Sequence, residues 1–317
     1  MSSHHDVLPY DKIVGQEDLK LALEIAYVNP RVGGVLAAGQ RGTAKTTTVR
    51  AFALAIAGEL PVTLPIGATE DRVLGGWQID KLMRGDATRQ DGLLVQASHS
   101  KAKMLYVDEI NLLDDYLVDI ILDAVATGNL DVQRDHLAEA GRRVDFTLVG
   151  TMNPDEGGLR PQLLDRFGLV AVVEPVEDMA GRAEIVRRVF DFQWGQDGSV
   201  TEDTKVRAPM WHPLGLDVEN LSHARVLLRG GEVRPSGATV DLCARLAAMF
   251  QTSGHRAELV MLNAAVAVAA MRGSDTADPE DVHKVAKLAL VHRRSRGESG
   301  TLPAWTDEDQ AKVEQWL

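Results

Sequence analysis

Short apolar runs recur along the first half of the chain and alternate with longer amphipathic stretches. Five of these runs are typical of buried strands and occupy residues 33–38, 60–66, 103–107, 146–153 and 170–173. Glycine, proline or charged residues bound most of them, as expected at strand ends. Strands that alternate with helices predict an α/β fold built on a parallel sheet.

Apolar residues at three- and four-residue steps predict the helices. In the first half such patterns cover residues 18–26, 47–55 and 112–125. The last third has three more: residues 240–250, a helix that opens near Arg256, and one capped by Asp278 with Pro279 in its first turn. We therefore expect an α/β domain followed by a smaller α-helical one. The helix at 18–26 has two interpretations, a packing helix or a wall of a ligand pocket.

Two polar, glycine-punctuated excursions interrupt the predicted strands. Residues 67–96 are expected to hold a hairpin, with its first strand at 78–83 before a Gly85-Asp86 turn. Residues 128–145 predict a second one. Excursions of this length between core strands usually serve function. Farther along, residues 195–199 have the composition of a linker.

The stretch that follows the first apolar run has the pattern of a phosphate-binding loop. Its residues are Gly39, Gln40, Arg41, Gly42, Thr43, Ala44, Lys45, Thr46 and Thr47. Backbone N–H groups and the positive end of the next helix would surround the phosphates of a nucleotide. Lys45 is expected at the β- and γ-phosphates, and the Thr46 hydroxyl at Mg²⁺. The alternative is a glycine turn without a ligand.

One position departs from the usual pattern of such loops. Ala44 stands where a glycine usually precedes the lysine. The added Cβ disfavours a positive φ, so the loop must either accommodate it or bind nucleotide less well.

A second nucleotide signature lies at the end of the third apolar run, where Asp108 and Glu109 follow Val107. In α/β folds ligands gather at the carboxyl ends of the strands. We expect Asp108 to hold Mg²⁺, through water, and Glu109 to orient or deprotonate the attacking water. A strand that ends in Asp-Glu is common in proteins, and it indicates a nucleotide site here because a phosphate loop precedes it.

Two further candidates come from the next strands. Asn153 ends the fourth run, where its amide would sense the γ-phosphate or position water; the alternative is an Asn-Pro turn with Pro154. Arg166 precedes the fifth run and would stabilise the transferred phosphoryl group of a neighbouring subunit. The alternative for Arg166 is a salt bridge with Asp165 or another nearby carboxylate.

Composition narrows the class of protein. The net charge of −12 argues against non-specific nucleic-acid binding. No apolar run approaches the length of a membrane helix, and residues 1–6 lack the features of a signal peptide. The only cysteine, Cys243, cannot pair within the chain, which suits a reducing compartment. We expect a cytoplasmic protein without nucleic-acid or membrane partners.

Together these motifs resemble AAA+ ATPases, and specifically the ATPase (I) subunit of magnesium chelatase. The phosphate loop and residues 66–72, 107–113 and 159–169 carry the resemblance, and its most specific parts are residues 68–72 and 159–169. The resemblance implies a five-stranded parallel sheet with helices on both faces, β-hairpin inserts and an α-helical lid. It also implies ATP and Mg²⁺ as cofactors and hexameric rings with ATP between subunits. Asn153 would be sensor 1, Arg166 the arginine finger and Arg256 the sensor-2 residue that contacts phosphate; the alternative for Arg256 is a surface arginine.

The predicted domains are a nucleotide-binding domain (1–192), a linker and variable region (193–239), a helical lid (240–296) and a tail (297–317). Little in residues 195–240 resembles the family. In the tail, residues 306–317 predict a short acidic helix that docks on a neighbour or frays.

Three functions remain open. The first is a ring-forming motor of a magnesium-chelatase-type complex, in which a von Willebrand A-domain (D-type) subunit and a porphyrin-binding (H-type) subunit insert Mg²⁺ into protoporphyrin IX. The second is a chelatase-like (MoxR-type) chaperone that works with a von Willebrand A-domain partner on another substrate. The third is a nucleotide-binding assembly or regulatory protein with low turnover.

Overall fold

The computed structural model describes residues 7–77, 89–130, 133–134, 137–138, 142–194, 216–294 and 302–316. Its centre is a five-stranded parallel sheet. The strands are β1 (Val35–Ala38), β2 (Val62–Leu64), β5 (Met104–Val107), β10 (Thr147–Met152) and β11 (Leu169–Val172). Across the sheet they lie in the order β11-β1-β10-β5-β2. All five predicted strands are confirmed, although β2 is shorter than its apolar run.

Helices cover both faces of this sheet, as the α/β pattern predicted. The helices up to residue 194 are α1 (Glu17–Val28), α2 (Lys45–Ala57), α3 (Glu70–Leu74), α4 (Leu93–His99), α5 (Asp115–Thr127), α6 (Pro161–Arg166) and α7 (Met179–Trp194). Alternate residues of β1 face opposite sides, because side chains alternate along a strand. Val35 and Ala37 join one core with α1 and α2, whereas Leu36 and Ala38 join the other with α4, α5 and α6.

Both excursions contain antiparallel pairs. In the first, β3 (Gly75–Trp77) pairs with β4 (Arg89–Asp91); in the second, β6 (Asn129–Leu130) pairs with β9 (Arg142–Arg143) and β7 (Gln133–Arg134) with β8 (Leu137–Ala138). The hairpin strand expected at 78–83 and its turn lie outside the described residues. Helix α4 was not predicted within the first excursion, although Leu93, Leu94 and Ala97 are buried.

The last third is helical, as expected. Its helices are α8 (Val218–Gly230), α9 (Gly237–Met249), α10 (Arg256–Met271), α11 (Pro279–Leu290) and α12 (Asp307–Glu314), and a two-residue pair joins β12 (Arg234–Pro235) to β13 (Thr276–Ala277). Asp278 and Asp281 form a capping box at the start of α11. These helices share one apolar core with α1, α2 and one face of the sheet.

Two segments differ from their predictions. The region expected to be a linker contains α8, whose Leu221 and Ala224 are buried in the core. The acidic C-terminal helix docks on the helices of its own chain instead of fraying. Trp305 stacks on Phe250 with ring centroids 5.5 Å apart, and Val313 is 1% exposed.

The end of α11 is fastened to the loop between α6 and β11 by one buried guanidinium. Arg293 donates to the carbonyl oxygens of Asp165, Phe167 and Gly168 at 2.6–3.0 Å, and to the Asp165 carboxylate at 3.2 Å. Burial lowers the pKa of Arg293 to about 10, so the group stays charged at neutral pH. In the same loop Gly168 passes so close to Val32 that an added Cβ would lie 1.6 Å from its carbonyl oxygen.

None of the described helices is long and apolar enough to cross a membrane.

We predict that Arg293→Met destabilises the fold by about 3 kcal/mol, because it leaves the carbonyl oxygens of Asp165, Phe167 and Gly168 without their donor. Urea unfolding followed by circular dichroism measures this. The control is Arg187→Met, since the Arg187 side chain is 69% exposed and its pair with Glu184 is worth about 0–1 kcal/mol. Equal unfolding midpoints for the two variants would contradict the assignment.

Candidate functional site

The predicted phosphate loop joins the end of β1 to the start of α2, at the carboxyl edge of the sheet. Its first residue, Gly39, donates from its backbone N–H to the Met152 carbonyl at 3.0 Å. A Cβ at Gly39 would lie 2.1 Å from the Val173 carbonyl oxygen, so only glycine fits between the neighbouring strand ends. The first residue of the loop therefore lies between the ends of β10 and β11, and the loop then continues to the start of α2.

Ala44 adopts the left-handed conformation that its position usually reserves for glycine. Its φ is +62° and it is the N-cap of α2. A non-glycine residue in this region costs about 1–2 kcal/mol. Thr48 partly offsets that cost, because its N–H and its hydroxyl both donate to the Ala44 carbonyl at 2.9 Å. The loop thus accommodates the alanine without losing the backbone path of a phosphate loop.

Lys45 is folded onto its own loop. Its Nζ donates to the carbonyl oxygens of Gly39 and Gln40, both at 2.6 Å. Burial lowers the pKa of Lys45, and the charges of Asp108, Glu109 and Glu156 work against that shift. A phosphate oxygen would take the place of these carbonyls as a stronger, charged acceptor.

The two expected magnesium-site residues, Thr46 and Asp108, lie in one hydrogen-bonded cluster. The Tyr106 hydroxyl is 2.8 Å from the Thr46 hydroxyl and donates to Asp108 Oδ1 at 2.8 Å. Thr151 donates to the same carboxylate oxygen at 2.7 Å. A hydroxyl and a carboxylate are the hard oxygen ligands that Mg²⁺ prefers, so the residues fit that ion.

Tyr106 and Thr151 were missed by the sequence reasoning, although a signal for them exists. Tyr106 precedes Asp108 by two residues, and side chains two apart point to the same side of a strand. Thr151 directly follows Gly150, which pairs with Val107 in the parallel register. Finding this second partner required the pairing of β10 with β5.

Glu109 lies beside the phosphate loop and pairs with it. Arg41 Nη2 is 3.3 Å from Glu109 Oε1 and 2.5 Å from Glu156 Oε1. The Glu109 backbone has a φ of +51°, and its N–H donates to the Thr151 hydroxyl at 3.1 Å. Glu109 thus stands at the same edge as Asp108, with its side chain engaged by a cation of the loop.

Asn153 follows β10 at the same edge of the sheet and is 6% exposed. Its side-chain oxygen accepts from the Asp155 N–H at 3.3 Å, so it also begins the turn at Pro154. The two interpretations of Asn153 are therefore compatible. Its side-chain oxygen forms the turn, and its side-chain nitrogen can donate to another acceptor.

A cavity of about 730 Å³ opens beside the loop and includes Gly42, Thr43, Ala44 and Thr47 in its lining. Its other walls come from residues 12–16 and from α7. Residues 18–26 of α1, the candidate wall of an adenine pocket, are absent from the lining of this cavity. Leu19, Leu23 and Ile25 are fully buried. Helix α1 is thus a packing helix, and the segment before it, joined to the loop by a 3.0 Å bond from Gln16 to the Thr43 carbonyl, forms the wall.

Arg166 and Arg256 lie together on another part of the surface. Both line a separate cavity of about 430 Å³, between α5, α10 and the segment before β1. Arg166 pairs with Asp119 and Asp123 of α5, and Arg256 with Asp165 at 2.8 Å. The acidic face of α5 therefore holds the predicted arginine finger.

Among the residues that the structure describes, no three His, Cys, Asp or Glu side chains are grouped to hold a metal ion.

Comparisons with known proteins agree with this fold. Residues 34–167 match the AAA domain family (dynein-related subfamily), and residues 240–315 match the AAA lid domain family. A candidate ATPase from Cytophaga hutchinsonii has the same fold, with a TM-score of 0.66 and 18% identity over 97% of this chain and 91% of its own.

Two relatives in sequence are informative. An uncharacterized protein of Mycobacterium tuberculosis is 41% identical over 91% of this chain, but the match spans only 45% of that longer relative. The magnesium-chelatase 38 kDa subunit of Rhodobacter capsulatus is 37% identical, with 92% of this chain and 89% of that protein covered. This chain therefore belongs to the AAA+ ATPases, in the family of the magnesium-chelatase 38 kDa subunits.

Proposed function

We propose that the chain is the ATP-hydrolysing, ring-forming motor subunit of a magnesium-chelatase-type complex. One observation carries the proposal: the groups needed for phosphoryl transfer are divided between two parts of the surface. Gly42, Thr43, Ala44 and Thr47 of the phosphate loop line one cavity, whereas Arg166 and Arg256 line a separate one. A second copy that presents its arginines to the loop would complete the site.

Within one copy, each residue of the loop edge has a distinct role in this proposal. Lys45 leaves the carbonyls of its loop and contacts the β- and γ-phosphates. Thr46 and Asp108 hold Mg²⁺, which neutralises charge on the phosphates. Glu109 leaves Arg41 and orients the attacking water, while Asn153 holds that water or the γ-phosphate.

The arginines act on the nucleotide of the neighbouring copy. Their present partners are carboxylates at least one-third exposed: Asp119, Asp123 and Asp165 have side-chain exposures of 57%, 56% and 39%. Pairs this exposed are worth about 0–1 kcal/mol each, so a phosphate can replace them at little cost. Arg166 would then stabilise the transferred phosphoryl group, and Arg256 would contact a phosphate from the lid.

The chelatase assignment is supported by the relative in Rhodobacter capsulatus, which matches over nearly its whole length. In the proposed complex this chain hydrolyses ATP. A von Willebrand A-domain (D-type) subunit couples the hydrolysis to a porphyrin-binding (H-type) subunit, which inserts Mg²⁺ into protoporphyrin IX.

A second candidate is a chelatase-like (MoxR-type) chaperone that acts with a von Willebrand A-domain partner on another substrate. The observation behind it is that the Mycobacterium tuberculosis relative, which has a higher identity than the chelatase subunit, is itself uncharacterized, so the relatives do not all point to chelation. The ATP site and the ring would be the same, and only the partners and substrate would differ.

We predict that Glu109→Gln lowers ATP hydrolysis by at least about 100-fold, because general-base catalysis contributes that much or more. ATP affinity is expected to stay within a few-fold, since the phosphate loop is intact. Phosphate release and calorimetric titration measure the two quantities. The matched control is Glu156→Gln, which also loses a contact to Arg41. Equal turnover in Glu109→Gln and the unmodified chain would contradict the assigned role and favour a low-turnover protein.

We predict that two inactive variants restore each other. Lys45→Ala removes the phosphate contact and Arg166→Ala removes the contribution to the neighbour, so each variant alone should lose most activity. In mixed rings, some interfaces combine an intact loop from one variant with an intact arginine from the other. ATP hydrolysis of the mixture is then expected to reach a clear fraction of the normal rate.

The control for this experiment mixes Lys45→Ala with the double variant Lys45→Ala/Arg166→Ala, where no interface is complete. Mixed assembly is verified by pulling down one tagged variant with the other. Verified mixed rings without recovered hydrolysis would overturn the shared site.

For the substrate, we expect the tagged Glu109→Gln chain, which retains ATP, to co-purify with a porphyrin-binding subunit and a von Willebrand A-domain subunit. Mass spectrometry identifies both. The reconstituted set with the unmodified chain should insert Mg²⁺ into protoporphyrin IX only with ATP, as followed by porphyrin fluorescence. A von Willebrand A-domain partner alone, without insertion, would replace the chelatase assignment by the chaperone.

A further inference from the structure

A continuous chain of hydrogen bonds links the two expected ligands of Mg²⁺ through a tyrosine. The Thr46 and Tyr106 hydroxyls are 2.8 Å apart, and Tyr106 is 2.8 Å from Asp108 Oδ1. From the other side Thr151 reaches the same oxygen at 2.7 Å, and its own hydroxyl accepts the Glu109 N–H at 3.1 Å. The chain thus runs from the phosphate loop to the backbone of Glu109.

The direction of each bond follows from counting protons. An ionised carboxylate only accepts, so Tyr106 must spend its single hydrogen on Asp108. Tyr106 can then only accept from Thr46, and Thr46 must donate. The Thr46 oxygen is left with a lone pair that no described hydrogen bond uses, which is the state that a cation ligand requires. If the Thr46–Tyr106 bond ran the other way, Asp108 would lose a donor.

The same count applies to the carboxylate. Tyr106 and Thr151 both donate to Oδ1 of Asp108, so two bonds fix its rotation. The second oxygen, Oδ2, accepts from neither of them. One oxygen is thereby held by the protein and the other remains for Mg²⁺ or its water.

The tyrosine lies in the interior of the domain, where its side chain is 2% exposed. A phenylalanine would fill the same space without a buried polar group, yet this hydroxyl has partners on both sides. Its place in β5 is better explained by those partners than by packing.

We infer that Tyr106 is a positioning residue for the magnesium ion of the bound nucleotide, acting through Thr46 and Asp108. It holds the Thr46 hydroxyl with a lone pair free and the Asp108 carboxylate with one oxygen free. The inference rests on the proposed use of Mg²⁺ and nucleotide at this edge. Partners that orient metal ligands commonly contribute 10- to 100-fold in metal affinity, and the Tyr106 hydroxyl is expected within about that range.

The test is Tyr106→Phe in the full chain, with ADP as the probe. Calorimetric titration gives the ADP affinity in EDTA and at a series of free Mg²⁺ concentrations. In EDTA the variant is expected to bind ADP like the unmodified chain, because the phosphate loop is untouched. The Mg²⁺ concentration for half-maximal gain in affinity should rise about tenfold or more. Unchanged Mg²⁺ dependence in the variant would overturn the inference.

Two controls separate positioning from general damage. Tyr27→Phe removes another tyrosine hydroxyl, 3.5 Å from Ser222, and should leave the Mg²⁺ dependence unchanged. Thermal melting in EDTA detects loss of folding. If Tyr106→Phe does not fold, Thr151→Val and Thr151→Ser replace it in the test. Thr151→Val should raise the Mg²⁺ concentration for half-maximal gain in ADP affinity, and Thr151→Ser should leave that concentration unchanged. Equal Mg²⁺ dependence of these two would overturn the inference.

The unmodified chain separates the inference from the proposed function. If it binds ADP without any effect of Mg²⁺, the proposed metal site and the inference fail together. If its binding depends on Mg²⁺ and Tyr106→Phe behaves identically, only the inference fails.

Discussion

The parallel pairing of β1, β10 and β5 decides where every polar group of the site lies. Ala38 of β1 pairs with Met152 of β10, so Gly39 and Asn153 leave the sheet side by side. Gly150 pairs with Val107, which places Asp108 next to Thr151. A shift of one residue in β5 would turn Tyr106 and Asp108 to the opposite face. The apolar cores on both faces hold this register, and the site depends on it.

A second constraint ties the lid to the predicted arginine finger. Arg293, at the end of α11, holds the carbonyls of the loop that follows Arg166. Asp165 in turn pairs with both Arg293 and Arg256. The lid helices, their candidate sensor and the finger are thus connected through one loop. A displacement of the lid would move Arg166, because its loop is bonded to α11 through a buried charge.

The cations of the site already have partners within the chain. Lys45 contacts the carbonyls of its loop, Arg41 contacts Glu109 and Glu156, and Arg166 contacts α5. These contacts leave no cation of the site uncompensated, and exposed pairs of this kind are weak. In the proposed function each of these cations exchanges its present partner for a phosphate. Because exposed pairs are weak, that exchange would cost little free energy.

The sequence by itself determined the strands, most helices, the phosphate loop and the strand ends that carry Asp108, Glu109 and Asn153. These are local properties, because periodicity and turn chemistry act over a few residues. The same reasoning anticipated the unusual backbone at Ala44, whose φ is +62°. Helix α8 was missed although Asp217 caps it and Gly231 ends it, since the prolines and glycines around it favoured a linker.

The tertiary structure alone decided which side chains meet. The link from Thr46 through Tyr106 to Asp108 spans 60 residues in its first bond, and the bond of Arg256 to Asp165 spans 91. The tertiary structure also places the segment before α1, and not α1 itself, in the wall of the cavity beside the phosphate loop. It places Arg166 and Arg256 away from that loop. The physical reason is that side-chain contacts depend on strand register and helix packing. Both arise from burying apolar surface across the whole chain, which no local pattern specifies.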